Sequence, residues 1–175
     1  MGAAGFHHEV VQLWVNLPAK HKFAPPGYLS ILSSEIPAVS LPAGQGSVRV
    51  IAGEFAGAKG PAKTFTPMLV LDLRLAANQR SEVAVPNGYT TALVVLKGAL
   101  RVNGSEAIET AESGLIDRAG ESIGIECVKD TTALLLCGEP IDEPIVGQGP
   151  FVMNRSQEIR QAMADYASGK MGHLP

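Results

Sequence analysis

The sequence predicts an all-β fold, a sandwich or barrel of short antiparallel strands followed by one C-terminal α-helix. Three observations point there. Apolar and polar residues alternate with period two in segment after segment, the mark of strands with one buried face. Turn-forming clusters recur between those segments at close intervals: Pro86-Asn87-Gly88, Lys97-Gly98, Asn103-Gly104, Ser113-Gly114 and Ala119-Gly120. A helical period appears once, after Pro150. Composition agrees, because 18% charged residues with 19 Gly and 12 Pro suit tight turns better than long solvent-facing helices. At 175 residues, 46% of them hydrophobic, the chain has enough material for one substantial core.

Taken in order, Gln12 to Leu17 alternates Leu13, Val15 and Leu17 against Gln12, Trp14 and Asn16 and stops at Pro18, which predicts a strand. Trp14 then stands opposite the apolar row and is a candidate contact residue. From Pro18 to Gly46, Pro25-Pro26-Gly27, Pro37 and Pro42 interrupt short apolar islands and predict an extended connection. Ser47 to Phe55 is the next strand, with Val48 and Val50 on one face. The loop after it, Gly57 to Thr64, lacks the Gly-Lys-Ser/Thr spacing of a phosphate-binding loop, and Pro61 removes an amide such a loop would use.

Met68 to Leu75 is the clearest strand, with Leu69, Leu71, Leu73 and Leu75 sharing a face. Strands follow over 82–85, 90–96, 99–102, 108–110, 115–116, 123–128 and 131–137. The last two can pair as a hairpin across Lys129-Asp130. That pairing would set Cys127 and Cys137, the only cysteines, about 16 Å apart at the rise of a strand, beyond disulfide reach, so both are expected as reduced packing residues. Beyond the loop at 138–153, Asn154 is the expected helix cap with Gln157 at the capping-box position. Ile159, Ala162, Met163, Tyr166 and Ala167 make an apolar stripe that ends at Gly169. Ile159, Met163 and Tyr166 are therefore candidates for contact with another surface.

Net charge is −3, and no cluster of five or more Lys and Arg occurs, which argues against direct nucleic-acid binding. No run of about 18 apolar residues occurs and the first residues lack a basic signal-peptide region, so the expectation is no membrane association and a cytoplasmic location, or nuclear in a eukaryote.

Several blocks of the sequence resemble the pirin family. They are Gln12-Leu-Trp-Val-Asn-Leu-Pro-Ala-Lys20, Arg49-Val-Ile-Ala-Gly-Glu54, Gly60-Pro-Ala-Lys-Thr-Phe-Thr-Pro67 and, above all, Gly138-Glu-Pro-Ile-Asp-Glu-Pro144 with Gly149-Pro-Phe-Val-Met-Asn154. The resemblance implies a cupin-type β-barrel, a jelly roll, corresponding to the C-terminal half of a two-barrel protein. It divides the chain into a remnant of the N-terminal cupin domain over 1–20, a Pro-rich linker over 21–46, the C-terminal barrel over 47–153, and a helix and tail over 154–175. Family members carry a single metal, taken as iron, on a His-x-His pair and a later His-x-Glu pair of the N-terminal barrel, with quercetin 2,3-dioxygenase activity.

Nothing in this chain corresponds to the His-x-His pair. His7-His8-Glu9 keeps the His-x-Glu pattern, so His7 and Glu9 are the remaining metal candidates. In the barrel itself the general cupin pattern places Val85, Asn87, Thr91 and a position near Ile123 where ligands would be needed, and those side chains cannot hold iron. No catalytic residue and no cofactor are predicted for the chain, whereas full-length relatives are expected to use iron. Glu139, Asp142 and Glu143 cluster in the Gly-Glu-Pro loop, where Glu139 and Glu143 are expected to bond backbone amides rather than to perform acid/base chemistry. A barrel mouth lined by Thr64, Thr66, Thr90 and Thr91 would suit an unspecific small ligand.

The functional expectation is a non-catalytic interaction or regulatory module. It would form a homodimer, or bind another protein, through the face that the missing barrel leaves open. The alternative is a pirin-type iron-dependent quercetin 2,3-dioxygenase whose ligand set is completed by another chain or a missing segment.

Overall fold

The computed structural model describes residues 10–172. The described residues form two compact units, one of residues 24–142 and one of residues 10–23 with 143–172.

The first unit is the β-sandwich. Its six-stranded sheet is built from β1 (Ala38–Ser40), β2 (Gly46–Ala52), β5 (Met68–Leu75), β7 (Thr90–Lys97), β10 (Ser113–Ile116) and β12 (Thr131–Gly138), in the order β1-β2-β5-β12-β7-β10. A four-stranded sheet, β6-β11-β8-β9, contains β6 (Arg80–Ala84), β8 (Ala99–Val102), β9 (Ile108–Glu109) and β11 (Ser122–Cys127). Between β2 and β5 the small hairpin of β3 (Glu54–Phe55) and β4 (Ala58–Lys59) occupies the Gly57 loop. Every pairing is antiparallel.

Period two does what the alternation predicts. Leu69, Leu71, Leu73 and Leu75 of β5 meet Leu93 and Val95 of β7, Leu135 of β12, and Val83, Leu100, Ile123 and Ile125 of the opposing sheet in one buried core. The other face of β5 holds Asp72, which is buried and accepts hydrogen bonds from Arg49 (3.0 Å) and Arg74 (3.3 Å) through one carboxylate oxygen. Each guanidinium offsets the cost of burying that charge.

β11 and β12 do not form the hairpin that their short polar link allows. β11 pairs with β6 and β8 in one sheet, and β12 pairs with β5 and β7 in the other. The connection at 128–130 crosses between the sheets and is tied down on the way. The Val128 amide donates to the Ala99 carbonyl at 2.9 Å, and Asp130 Oδ1 accepts from the Ala77 amide at 2.8 Å. Jelly-roll sandwiches place successive strands in opposite sheets in this manner, and each strand's apolar face still reaches the one core.

Cys127 and Cys137 are buried and free, as expected, although not for the hairpin geometry that suggested it. Burial pushes the Cys127 thiol up to about 11 against a partly compensating hydrogen bond with Thr131, and burial raises Cys137 as well. Both thiols stay protonated and unreactive in the folded protein at pH 8, and iodoacetamide is expected to label them only after unfolding. The unfolded Cys127 thiol ionises near pH 9 and the folded one near 11, so stability is fully present below 9 and falls as the pH rises through that window. Rapid labelling of native protein at pH 8 would contradict this.

In the second unit, β13 (Val146–Gln148) and β14 (Phe151–Met153) form a hairpin where the sequence reads as loop, with Gly149 (φ +56°) and Pro150 as its two-residue turn. Helix α1 (Ser156–Ala167) lays Ile159 and Ala162 on that hairpin, burying them with Met153 against Val146 and Phe151. The helix does not begin as expected either. Arg155 rather than Asn154 is its N-cap, and Glu158 rather than Gln157 reaches back to accept from the amides of Asn154 (3.1 Å) and Arg155 (2.9 Å). Residues 12–17 form no strand, because alternation sets which side chains share a face but supplies no ladder partner.

Candidate functional site

At one end of the sandwich a cavity of about 400 Å3 opens between the sheets, lined by Glu54, Pro67, Met68, Leu69, Ala84, Val85, Pro86 and Tyr89. The start of β5 supplies Met68 and Leu69, and the end of β6 with the turn before β7 supplies Ala84, Val85 and Tyr89. Burial raises the Tyr89 phenol, and the nearby charge of Glu139 raises it further, so the ring offers a neutral hydroxyl. The walls are otherwise apolar. Such a space can hold a small apolar group, with one carboxylate and one phenol to orient it.

This is a different mouth from the four threonines expected. Thr91 is buried on the inner face, opposite Cys137 in the β7–β12 register, and none of Thr64, Thr66, Thr90 or Thr91 lines the cavity. The lining residues that sequence reading missed are Met68, Leu69 and Tyr89. An aromatic directly after the Pro86-Asn87-Gly88 turn was the one available hint.

Val85 lines the cavity, Asn87 accepts a hydrogen bond from the Gly120 amide at 3.0 Å, and Thr91 and Ile123 are buried, Ile123 in the core opposite Val83. Of the cavity residues only Glu54 and Tyr89 could donate to a metal, and the phenol resists ionisation. These side chains do not fit an iron centre, which needs three or four nitrogen or oxygen ligands. Among the described residues no three of His, Cys, Asp and Glu converge on a point where an ion could sit. His7 and Glu9 lie outside the described residues.

The remaining candidates separate. Trp14 is 68% exposed, and Met163 and Tyr166 are 42% and 67% exposed, the Tyr166 ring meeting Phe151 edge-on at 6.1 Å. Ile159 is only 2% exposed beneath the hairpin of its own chain, so it offers no surface to a partner. In the Gly-Glu-Pro loop Glu143 behaves as an amide-binding carboxylate. Its Oε2 accepts from the Ala19 amide at 2.5 Å and from Asn154 Nδ2 at 3.0 Å, tying the N-terminal segment to the start of the helix. Glu139 differs from that expectation. Its side chain is exposed, and it is the backbone amide of Glu139 that donates, to the Pro67 carbonyl at 3.0 Å.

Two facing antiparallel sheets around one apolar core, with an opening between them at one end, define a cupin-type β-sandwich. Residues 70–172 match the pirin C-terminal cupin domain, and the chain belongs to the pirin family. It is 45% identical over 162 residues to a putative quercetin 2,3-dioxygenase of Pseudomonas aeruginosa, covering 93% of this chain and 56% of that protein. Human pirin is 35% identical over 168 residues, with 93% and 57% covered. The crystal structure of a quercetin 2,3-dioxygenase from Acinetobacter baumannii superposes with a TM-score of 0.87 at 42% identity, covering 93% of this chain and 56% of that one. The chain thus spans about half the length of the relatives it matches. No helix among the described residues is long and apolar enough to cross a membrane.

Proposed function

We propose that this chain is a non-catalytic pirin-type module that acts through protein contacts. The observation that carries this reading is the chemistry of the barrel mouth. A cupin enzyme needs three or four nitrogen and oxygen donors on its metal, whereas Met68, Leu69, Val85 and Pro86 make most of the cavity wall and only Glu54 and Tyr89 carry a side-chain donor atom. The proposed contact is with a second copy of the chain, through the outer face of the six-stranded sheet. There Val70, Leu134, Leu136 and Val94 make an apolar stripe in register beside the Arg49–Asp72 pair. Trp14, Met163 and Tyr166 are exposed, which leaves them open to a partner as well.

A second reading is favoured by the relatives named as quercetin 2,3-dioxygenases. His7 and Glu9, with ligands from another chain or segment, would complete an iron site, and iron would supply the oxygen chemistry. One preparation separates the readings. Purified protein is incubated with ferrous iron without oxygen, desalted, analysed for metal, given quercetin in air, and weighed by light scattering. The proposal expects no stoichiometric transition metal, no loss of quercetin absorbance, and a dimer that Leu134→Lys with Leu136→Lys converts to monomer. Bound iron with oxygen-dependent loss of quercetin would establish the enzyme instead, and a monomer at all concentrations would remove the proposed face.

A further inference from the structure

A second opening, remote from the mouth in its lining, lies where the two sheets end. β10 is the terminal strand of the six-stranded sheet and β9 that of the four-stranded sheet. Between them runs an open groove of about 750 Å3 whose floor includes Val102, Ile108 and Ile116, and whose rim carries Glu106, Glu112 and Asp117. No Lys or Arg lines it. β10 pairs with β7 along one side only, so its outer edge presents amide and carbonyl groups in the ladder direction.

Natural edge strands are commonly blunted by Lys, Pro or a bulge. β10 is short, at four residues, but carries no Lys, Pro or bulge: it reads Ser113-Gly114-Leu115-Ile116, pairs with β7 in unbroken register, and exposes 84% of Leu115. Gly114 keeps the groove floor flat, because a Cβ there would lie 2.6 Å from Ile108 Cδ1. A strand laid along this edge would turn alternate side chains toward Ile108 and Ile116 and the others beside Leu115, and its backbone would complete the ladder.

From this geometry we infer that the β10 edge is a β-addition site for an extended, basic peptide segment of a partner protein. Charge selects the occupant. Three rim carboxylates with no lining cation attract Lys and Arg on the incoming strand. The same three repel a second copy of this chain, whose β10 edge would bring an identical acidic rim. The sheet edge gives affinity through main-chain hydrogen bonds, and the apolar floor and acidic rim give sequence preference.

The test uses the whole chain and a fluorescein-labelled seven-residue peptide of alternating Val and Lys, followed by fluorescence anisotropy. Binding is expected to weaken about tenfold in the double variant Glu112→Gln, Asp117→Asn, which removes both charges and keeps the side-chain oxygens that accept from the amides of Glu109 (2.8 Å) and Ala119 (3.0 Å). The same peptide with alternate amides N-methylated keeps its charge and is expected not to bind. Hydrogen exchange should show new protection at the amides of 113–117. Equal binding of the methylated peptide would reduce the effect to charge alone and overturn β-addition. Equal binding of a Glu-for-Lys peptide would overturn the charge selection, and protection confined to other strands would place the site elsewhere.

Discussion

Replacing Leu135 by Ala is expected to lower the unfolding free energy of the sandwich unit by about 3 kcal/mol, inside the range of roughly 2–5 kcal/mol for truncating a fully buried leucine. Leu135 is fully buried at the middle of β12, paired with Leu71 of β5 on one side and Leu93 of β7 on the other, and both partners are themselves fully buried. Ladders hold the neighbours on each side, so they cannot collapse into the space, and the cavity term adds to the lost transfer energy. Denaturant unfolding followed by far-ultraviolet circular dichroism measures the loss. Fluorescence would be a poor monitor, because the single tryptophan, Trp14, is exposed and belongs to the other unit. A loss below about 1 kcal/mol would mean that β12 is not the central strand of this core.

Gly98→Val is expected to be of similar size, about 2–5 kcal/mol, for a different reason. Gly98 joins β7 to β8 at φ +94°, where a side chain costs roughly 1–2 kcal/mol by its clash with the adjoining backbone. A Cβ there would lie 2.3 Å from the Asp130 carbonyl oxygen and 2.8 Å from Thr131 Cα, which adds about 1–3 kcal/mol of overpacking. The surroundings cannot yield cheaply. Thr131 Oγ1 accepts from the Ala99 amide at 3.2 Å and lies 3.0 Å from the Ala99 carbonyl and 2.7 Å from that of Lys129, either of which its hydroxyl can serve. The same denaturation experiment reads the effect, and Gly104→Val is the control, because Gly104 has a positive φ but nothing within 4 Å of an added Cβ. Equal losses for the two would show that backbone strain, not crowding, sets the cost.

These two positions mark how far a sequence can be read. Lys97-Gly98 announces a turn, and the alternation through 131–137 announces a strand with Leu135 inside, because both signals are local. That Gly98 must let the β11–β12 crossing pass beside it is a fact about residues 130 and 131, distant in the chain. Whether 123–128 pairs with 131–137 as a hairpin is undecided in the sequence on the same ground. A short polar link between two amphipathic strands is compatible with a hairpin or with a step from sheet to sheet. Only the burial available in each sheet decides.

The candidate sites follow the same division. Val85, Asn87, Thr91 and Ile123 are unfit for iron by side-chain chemistry alone, which the sequence carries in full. The cavity lined by Met68, Leu69 and Tyr89 could not be foreseen, since it is made where the start of β5 and the turn before β7 meet. The β10 groove escaped for a stronger reason. An edge strand is defined by a neighbour that is not there, and no local pattern in Ser113-Gly114-Leu115-Ile116 says on which side pairing ends.

By itself the sequence determined the all-β class, the principal strands of the sandwich with their inward faces, the single helix and the kinship with pirins, because each rests on periodicity or on contiguous motifs. Tertiary structure alone decided that β11 and β12 lie in different sheets and that the helix stripe is covered at Ile159 by the chain's own β13–β14 hairpin. It also made Glu143 the tie between Ala19 and Asn154, a bond that spans 124 residues on one side. The physical reason is common to all three. A side chain's preference for burial or for a hydrogen-bond donor is a property of the residue, whereas the partner that satisfies it is chosen by competition among every surface the folded chain brings within reach.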